Sequence, residues 1–539
     1  MTSEAGGARP GDGGVDGSRP VPLWGGARDR LDEPLDAVVC GGGLAGLAAA
    51  SVLAERGARV TVVEAEASLG GRLRTWPVTL PDGTTLGMER GFHAFFRQYY
   101  NLRAFLRRVD PDLARLVPLP DYPVLGPAGR SQSFEDLPTR PPANFLAIVN
   151  RAESFRWWDL LRVNGLAALE MLRYEPGRTY ERFDGRTARS YLDSLRFPPE
   201  ARRMLFDVFS HSFFNPEEEM SAAELLMMFH YYFLGNREGL VFDVLDDTFE
   251  RALLAPLRAR LETLGVRFAL ERRVTSLAPG QGRGWRVTHV PSGAGSTARA
   301  ATVGAGSRTE RTDCVVLALH VPGLQSVVRA SPDLGTAAWR RDVGGLGLTR
   351  PFAVWRLWLD RPTDPGRHAF VGTAGFALLD NISLYHLFEA ESRAWAERTG
   401  GSVVELHAYG MPASAEEAEI RTAMRRGLHE LLPETVGAGV VHEVFFIERD
   451  CPAFPPGGHA GRPGVATPAP DVALAGDFVK MPFPTALMER AVASGFLAAS
   501  VLLRPHGVRP EPLRSISPIG PLARRRAGTG TDDASLRTR

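Results

Sequence analysis

Residues 36–64, DAVVCGGGLAGLAAASVLAERGARVTVVE, decide the fold. Ala37 to Cys40 form an apolar run short enough for a buried parallel strand, and Gly41, Gly43 and Gly46 follow in GxGxxG spacing. The first glycine permits a tight turn, the second lets backbone approach a pyrophosphate, and the third lets the next helix pack closely on the strand. Leu44 to Arg56 reads as that helix, whose N-terminal N–H groups and dipole favour phosphate charge. Glu64 closes the second strand, where a carboxylate can accept hydrogen bonds from a ribose diol and disfavours a 2′-phosphate. The stretch is a dinucleotide-binding βαβ unit for which NADP is unsuited, and it leaves FAD against NAD open.

The chain of 539 residues exceeds one simple core and implies two or more domains. Its formal net charge is +1 and its basic residues are dispersed, which disfavours nucleic acid as a partner. Cys40, Cys314 and Cys451 lack metal-ligand spacing, so neither a metal site nor a disulfide framework is expected, and a reducing cytoplasm fits. Residues 1–34 and 506–539, rich in Gly, Pro and Arg and including Arg524, Arg525 and Arg526, read as disordered arms. No apolar stretch approaches the ~18 residues of a spanning helix, so the chain is expected to be soluble or to lie on a membrane surface.

After Glu64 comes AEASLGGRLRTWPV, in which Gly70 and Gly71 precede Arg72. Adjacent glycines let backbone wrap a ligand, and an arginine fork suits a pyrophosphate. This GG-R turn resembles that of the FAD-dependent amine oxidase and carotenoid desaturase superfamily, where it lies over the flavin diphosphate. The next segment, GFHAFFRQYYNLR at 91–103, crowds Phe92, Phe95, Phe96, Tyr99 and Tyr100 around His93 and Arg97. It resembles the bacterial carotene desaturase/methyltransferases called isorenieratene synthases, and the likeness runs from about Asp36 to Leu503. His211 falls within it, where a basic residue is expected.

The resemblance implies an α/β fold: a Rossmann-type FAD-binding domain of the GR2-like flavoprotein kind with a discontinuous α+β substrate-binding domain. The expected partition gives residues 35–95, 241–345 and 456–505 to the first and 96–240 and 346–455 to the second. Residues 100–240 read as a helical insertion broken at Pro118–Pro123 and Pro138–Pro142. Within it Ser221 to Gly235 is apolar all round, which fits either plain core or the wall of an apolar tunnel. Trp157 and Trp158 fit a lipid interface or buried packing equally.

An amphipathic helix over 248–264 leads into VRFALERRVTSL, read as one strand, where Val274 matches the superfamily valine that presents backbone to adenine. A Gly/Ser/Thr-rich hairpin tip follows near 291–309; VGAGSR at 303–308 lacks the strand and helix of a second dinucleotide motif. DCVVLALH rejoins the Rossmann sheet, and PFAVWRLWLD and SVVELHAYG form an antiparallel floor beside a helix from about Ser414 to Leu432. In VALAGDFVKMPFPTALMERAVASGFLAASVLL, Gly476 and Asp477 end a strand. Asp477 resembles the aspartate that holds the flavin ribityl chain, and Met488 the helix-start residue whose N–H approaches flavin O2.

The implied reaction turns the β-ring of β-carotene into an aromatic ring by desaturation with methyl migration. Aromatic faces near His93 are expected to stabilise a ring cation. His93 itself is either a proton acceptor or a structural hydrogen-bonder. An acyclic carotene or phytoene desaturase, an amine oxidase and a redox-silent carotenoid-binding or isomerising flavoprotein remain alternatives. A carotenoid substrate places the protein peripherally on the cytoplasmic membrane, with oxygen, a quinone or a carrier as electron acceptor.

Overall fold

The computed structural model describes residues 17–523 except 120, 130, 142, 152–162, 199–201, 203–213 and 294–305. Trp157, Trp158, His211 and the three arginines at 524–526 lie outside the described residues. Five strands make a parallel sheet in the order Arg267–Ala269, Arg59–Val63, Asp36–Cys40, Cys314–Leu317, Val472–Leu474. Numbered along the chain this is 3-2-1-4-5, the doubly wound arrangement that places ligands at the carboxyl ends of the strands. The central strands are buried on both faces, as their Val-rich runs require, while the edge strand Arg267–Ala269 is half-buried at best. Helix Leu44–Glu55 packs on helix Leu487–Leu503 so closely that a Cβ on Gly495 would stand 2.3 Å from the Ala45 carbonyl oxygen.

The second body is a seven-stranded sheet in the order Val440–Glu448, Phe352–Leu359, Ser402–Ala408, Asn381–Leu384, Phe370–Thr373, Val124–Leu125, Ser131–Gln132. Alternation along Phe352–Leu359 sorts its two faces. Ala353, Trp355 and Leu357 pack with Ile420, Met424 and Leu428 of helix Glu417–Leu431. Phe352, Val354 and Trp358 pack with Leu80, Leu86 and Met88 of the hairpin Thr75–Thr79/Thr85–Glu89. That hairpin falls in the 35–95 segment assigned to the cofactor domain, yet it covers the other sheet.

Three further expectations are corrected and one open alternative is decided. VRFALERRVTSL is two strands: Glu271 takes a φ of 53°, turning Arg267–Ala269 in the parallel sheet away from Arg272–Pro279 in a separate antiparallel sheet. The described residues between 107 and 142 form no α-helix, because prolines 118, 123 and 127 remove donors and fix φ; Leu116–Pro118 joins a three-stranded sheet, Val124–Leu125 and Ser131–Gln132 join the seven-stranded one, and Pro127–Gly129 makes one 3-10 turn. Residues 17–34 and 506–523 are ordered: Arg19–Pro20 pairs with Arg514–Ser515, anchored by Val508, Leu513 and Ile516, each at most 2% exposed. Of the two readings of Ser221–Gly235, the structure has core. Helix Ala222–Phe229 and the wider turn His230–Leu234 bury Met227, Met228, Tyr231 and Tyr232 in the cluster that contains the parallel sheet.

Candidate active site

The two glycine turns meet face to face. Gly41 has a φ of 108° and a Cβ there would stand 2.5 Å from the Ala318 oxygen; at Gly46 it would stand 1.9 Å from the Gly41 oxygen. Gly43 differs, since a Cβ would meet nothing closer than Gly71 Cα at 3.8 Å. Gly70 donates its N–H to the Gly42 oxygen at 2.8 Å, and Gly71 at φ 59° faces Gly43. Helix Leu44–Glu55 begins at Gly43 with no side chain capping its N–H groups. Backbone donors, a helix dipole and room that a Cβ would fill therefore converge on one place, which is what a diphosphate needs.

Glu64 is buried at the end of its strand, and its carboxylate accepts from Gly42 N–H at 2.6 Å and Glu66 N–H at 2.8 Å. Burial raises its pKa against these two donors. Each oxygen keeps lone-pair capacity for a diol, so the residue both locks the glycine loop and offers acceptors. Arg272 N–H donates to the Glu64 carbonyl at 2.8 Å, which sets the strand carrying Val274 beside this corner; Val274 sits at a register irregularity and is 8% exposed.

Arg72, expected on a pyrophosphate, forms an ion pair with Asp477 at 2.7 Å, joining positions 405 residues apart. Gly476 takes a φ of 149° and donates to Ser494 Oγ at 2.9 Å. Arg490 donates to the carbonyls of Asp477 at 3.2 Å and Thr485 at 2.7 Å, fixing the turn between strand and helix. Met488 is the second residue of helix Leu487–Leu503, whose first residue Leu487 takes a left-handed φ of 49° and whose start also carries no side-chain cap.

Sequence reasoning missed what holds Arg490. Glu224, fully buried on helix Ala222–Phe229, pairs with Arg462 at 2.6 Å and Arg490 at 3.7 Å and accepts from Tyr180 Oη at 2.8 Å. Burial works to raise its pKa, but the two guanidiniums outweigh it and hold the carboxyl at about 2. The available signal was one acid in the apolar run AAELLMMF. A buried charge in such a run requires partners from elsewhere.

The Arg72 charge reaches His93 and adds slightly to the lowering of its imidazole that burial causes. Its Nδ1 is 2.8 Å from the Gly91 oxygen; a carbonyl only accepts, so Nδ1 carries the proton and Nε2 the lone pair. Desolvation pushes the imidazole down to about 4, so it is neutral at pH 7. Its ring meets Phe249 edge-on at 5.3 Å. Phe92 stacks on Phe370 at 4.4 Å and meets Phe242 and Phe388 edge-on. Arg97 turns away to Asp243 at 3.7 Å, and Phe95, Tyr99 and Tyr100 are buried core rather than wall. Among the described residues, no group of three His, Cys, Asp or Glu side chains could hold a metal, and no helix is long and apolar enough to cross a membrane.

A family model for flavin containing amine oxidoreductases matches residues 44–503. The chain is 46% identical over 501 residues to a carotenoid phi-ring synthase of Streptomyces griseus, with 93% of each chain covered. It is 31% identical over 599 residues to a carotenoid phi-ring synthase of Chlorobaculum tepidum, with 92% of each covered. Among solved structures, cyclohexylamine oxidase from Brevibacterium oxydans superposes with a TM-score of 0.60 at 16% identity, over 87% of this chain and 99% of that one, and shares the fold. The cofactor is FAD, and the paired glycine turns, the uncapped helix starts and the buried Glu64 fit its diphosphate, flavin and ribose.

Proposed function

The chain belongs to the flavin-containing amine oxidoreductase family, and on that premise we propose that this FAD-dependent oxidoreductase converts the β-ring of a β-carotene-like substrate into an aromatic ring by desaturation with methyl migration. The observation that carries the reading is 46% identity across 93% of both chains with a protein named for making a carotenoid ring. Phe92 and Phe370, half-buried and stacked on each other beside His93 against the buried Phe242 and Phe388, make an aromatic wall that suits an apolar polyene end.

Making a trimethylbenzene from a trimethylcyclohexene removes two hydrides and two protons and shifts one geminal methyl to the neighbouring carbon. FAD, when bound, supplies the hydride acceptor. The remaining work falls to the chain. The phenylalanine wall excludes water and turns ring faces and edges to the substrate, so positive charge left on the carbocycle is stabilised long enough for the methyl to move. Nε2 of His93, held in one tautomer by the Gly91 carbonyl, takes the ring proton. The final electron acceptor is oxygen, a quinone or a separate carrier.

The test is anaerobic incubation of the FAD-loaded protein with β-carotene in liposomes. Bleaching of the oxidised flavin band together with a product bearing an aromatic ring is expected. Bleaching by an acyclic carotene alone would replace the ring chemistry with linear desaturation, and no bleaching despite bound pigment would favour a redox-silent role. His93→Ala is expected to retain FAD and slow flavin reduction about a hundredfold; a normal rate would leave His93 a structural hydrogen-bonder. Because the substrate resides in a bilayer, the protein is expected to work from the cytoplasmic membrane surface and to co-sediment with carotenoid-loaded liposomes. Recovery in the supernatant would count against that placement.

A further inference from the structure

His93 lines, together with its aromatic neighbours Phe92 and Phe388, a cavity of ≈ 10 Å³, the space one water needs, which Glu89, Asp247 and Glu389 also line. Its three carboxylates are not equivalent. Glu89 accepts from Phe249 N–H, and Asp247 accepts from Thr248 N–H and faces Arg251 at 3.4 Å. Glu389 is 2% exposed and uses one oxygen, on Ser392 Oγ, while Oε1 has no hydrogen-bond partner. The residue stands at the N-cap of helix Ala390–Thr399, where an acid ordinarily accepts from the helix's own N–H groups, and its side chain does not. A buried carboxylate oxygen that neither caps a helix nor meets a donor costs stability unless a mobile proton or water completes it.

We propose that Glu389 is the final proton acceptor beside His93: the proton leaving the substrate ring passes from His93 Nε2 through one water in the cavity they share to the Glu389 carboxylate. The proposal rests on the reading of His93 as the base. The transfer is proton-only: a ring C–H bond breaks with its electron pair entering the new ring double bond, His93 holds the proton transiently, and a Glu389 O–H bond forms. The groups facing Glu389 tune it. Burial pushes it up to about 7; Arg356 and the Ser392 hydroxyl pull against that, while Glu391 and Glu405 add to it. Arg356 is itself held at 2.7 Å by Glu405 and lies 3.7 Å over the Tyr385 ring, so its charge is shared. Glu89 is raised by burial and by Glu389, which keeps the pair from ionising together. Burial lowers His93 and raises Glu389, so the onward transfer from imidazolium to carboxylate runs downhill.

The test uses the holoenzyme. Glu89 and Glu489 are buried carboxyls that burial also pushes up, Glu489 to about 7, so the infrared readout is the wild type minus Glu389→Gln difference, expected to hold one carboxylic-acid carbonyl band lost with a midpoint near 7. Stopped-flow flavin reduction by β-carotene in liposomes is expected to rise with pH through about 7 in the wild type. In Glu389→Gln it becomes flat and about a hundredfold slower at wild-type FAD content, and Glu389→Asp restores the limb with a shifted midpoint. A difference spectrum without a carbonyl band lost near 7, or an unchanged pH limb in Glu389→Gln, overturns the proposal. Should Glu389→Gln fail to fold, the aspartate variant decides: the same band midpoint and pH limb as the wild type overturn it. If the wild type is not reduced by β-carotene the ring-chemistry reading falls on its own, and the infrared titration still decides whether Glu389 exchanges a proton.

Discussion

Gly46→Ala is expected to give a protein that purifies without flavin and melts well below the wild type. The added Cβ would stand 1.9 Å from the Gly41 oxygen, inside any allowed contact, so the glycine turn or the helix has to move. The helix cannot retreat, because its opposite side is pressed on helix Leu487–Leu503 where Gly495 already lets the Ala45 carbonyl approach. Overpacking in such a place costs about 3 kcal/mol or more. Gly43→Ala is the informative contrast. Its Cβ meets nothing within 3.8 Å, so the fold and melting temperature are expected to hold while the methyl occupies the place of the diphosphate and FAD affinity drops at least ~10-fold. Flavin absorbance per protein and a thermal melt on both variants separate the two effects. Equal flavin content in Gly43→Ala and wild type would remove that glycine from the cofactor site.

The contrast also shows why this part of the molecule can be read from sequence. Strand, turn, helix and strand between Asp36 and Glu64 are each decided by neighbours within thirty residues, and the pattern that encodes them is the pattern that builds the site. The strand ending at Leu474, with Gly476 and the helix after it, is legible for the same reason. What escapes reading depends on partners distant in the chain. Nothing around Arg72 says that its charge meets Asp477, and nothing around Arg19 says that a glycine- and proline-rich arm pairs with Arg514. At Glu271 a left-handed residue without glycine divides one apparent strand between two sheets, and composition gives no warning of it. The apolar helix Ala222–Phe229 has a periodicity that fits core and tunnel alike, and only the packing chooses.

That helix carries the second large effect. Glu224→Gln is expected to lower stability by about 3 kcal/mol at pH 7 and to weaken FAD binding, although it touches neither glycine turn. The amide keeps a partner for Tyr180 but leaves the buried guanidiniums of Arg462 and Arg490 without a counter-charge. Arg490 in turn holds the carbonyls of Asp477 and Thr485, so its displacement loosens the turn that presents Asp477 to Arg72. The sign of the pH dependence follows from the depressed carboxyl. Glu224 falls from an ordinary 4.5 to about 2 in the folded state, so its contribution is complete above 4.5 and is lost as pH falls toward 2. The wild type and Glu224→Gln are therefore expected to differ most in urea midpoint near pH 7 and to converge as pH falls from 4.5 toward 2. A difference that stays constant over that range would mean the residue acts through shape and not charge. Arg462 and Arg490 would then be paired elsewhere, and the link from the buried helix to the flavin end of the fold would have to run through packing alone.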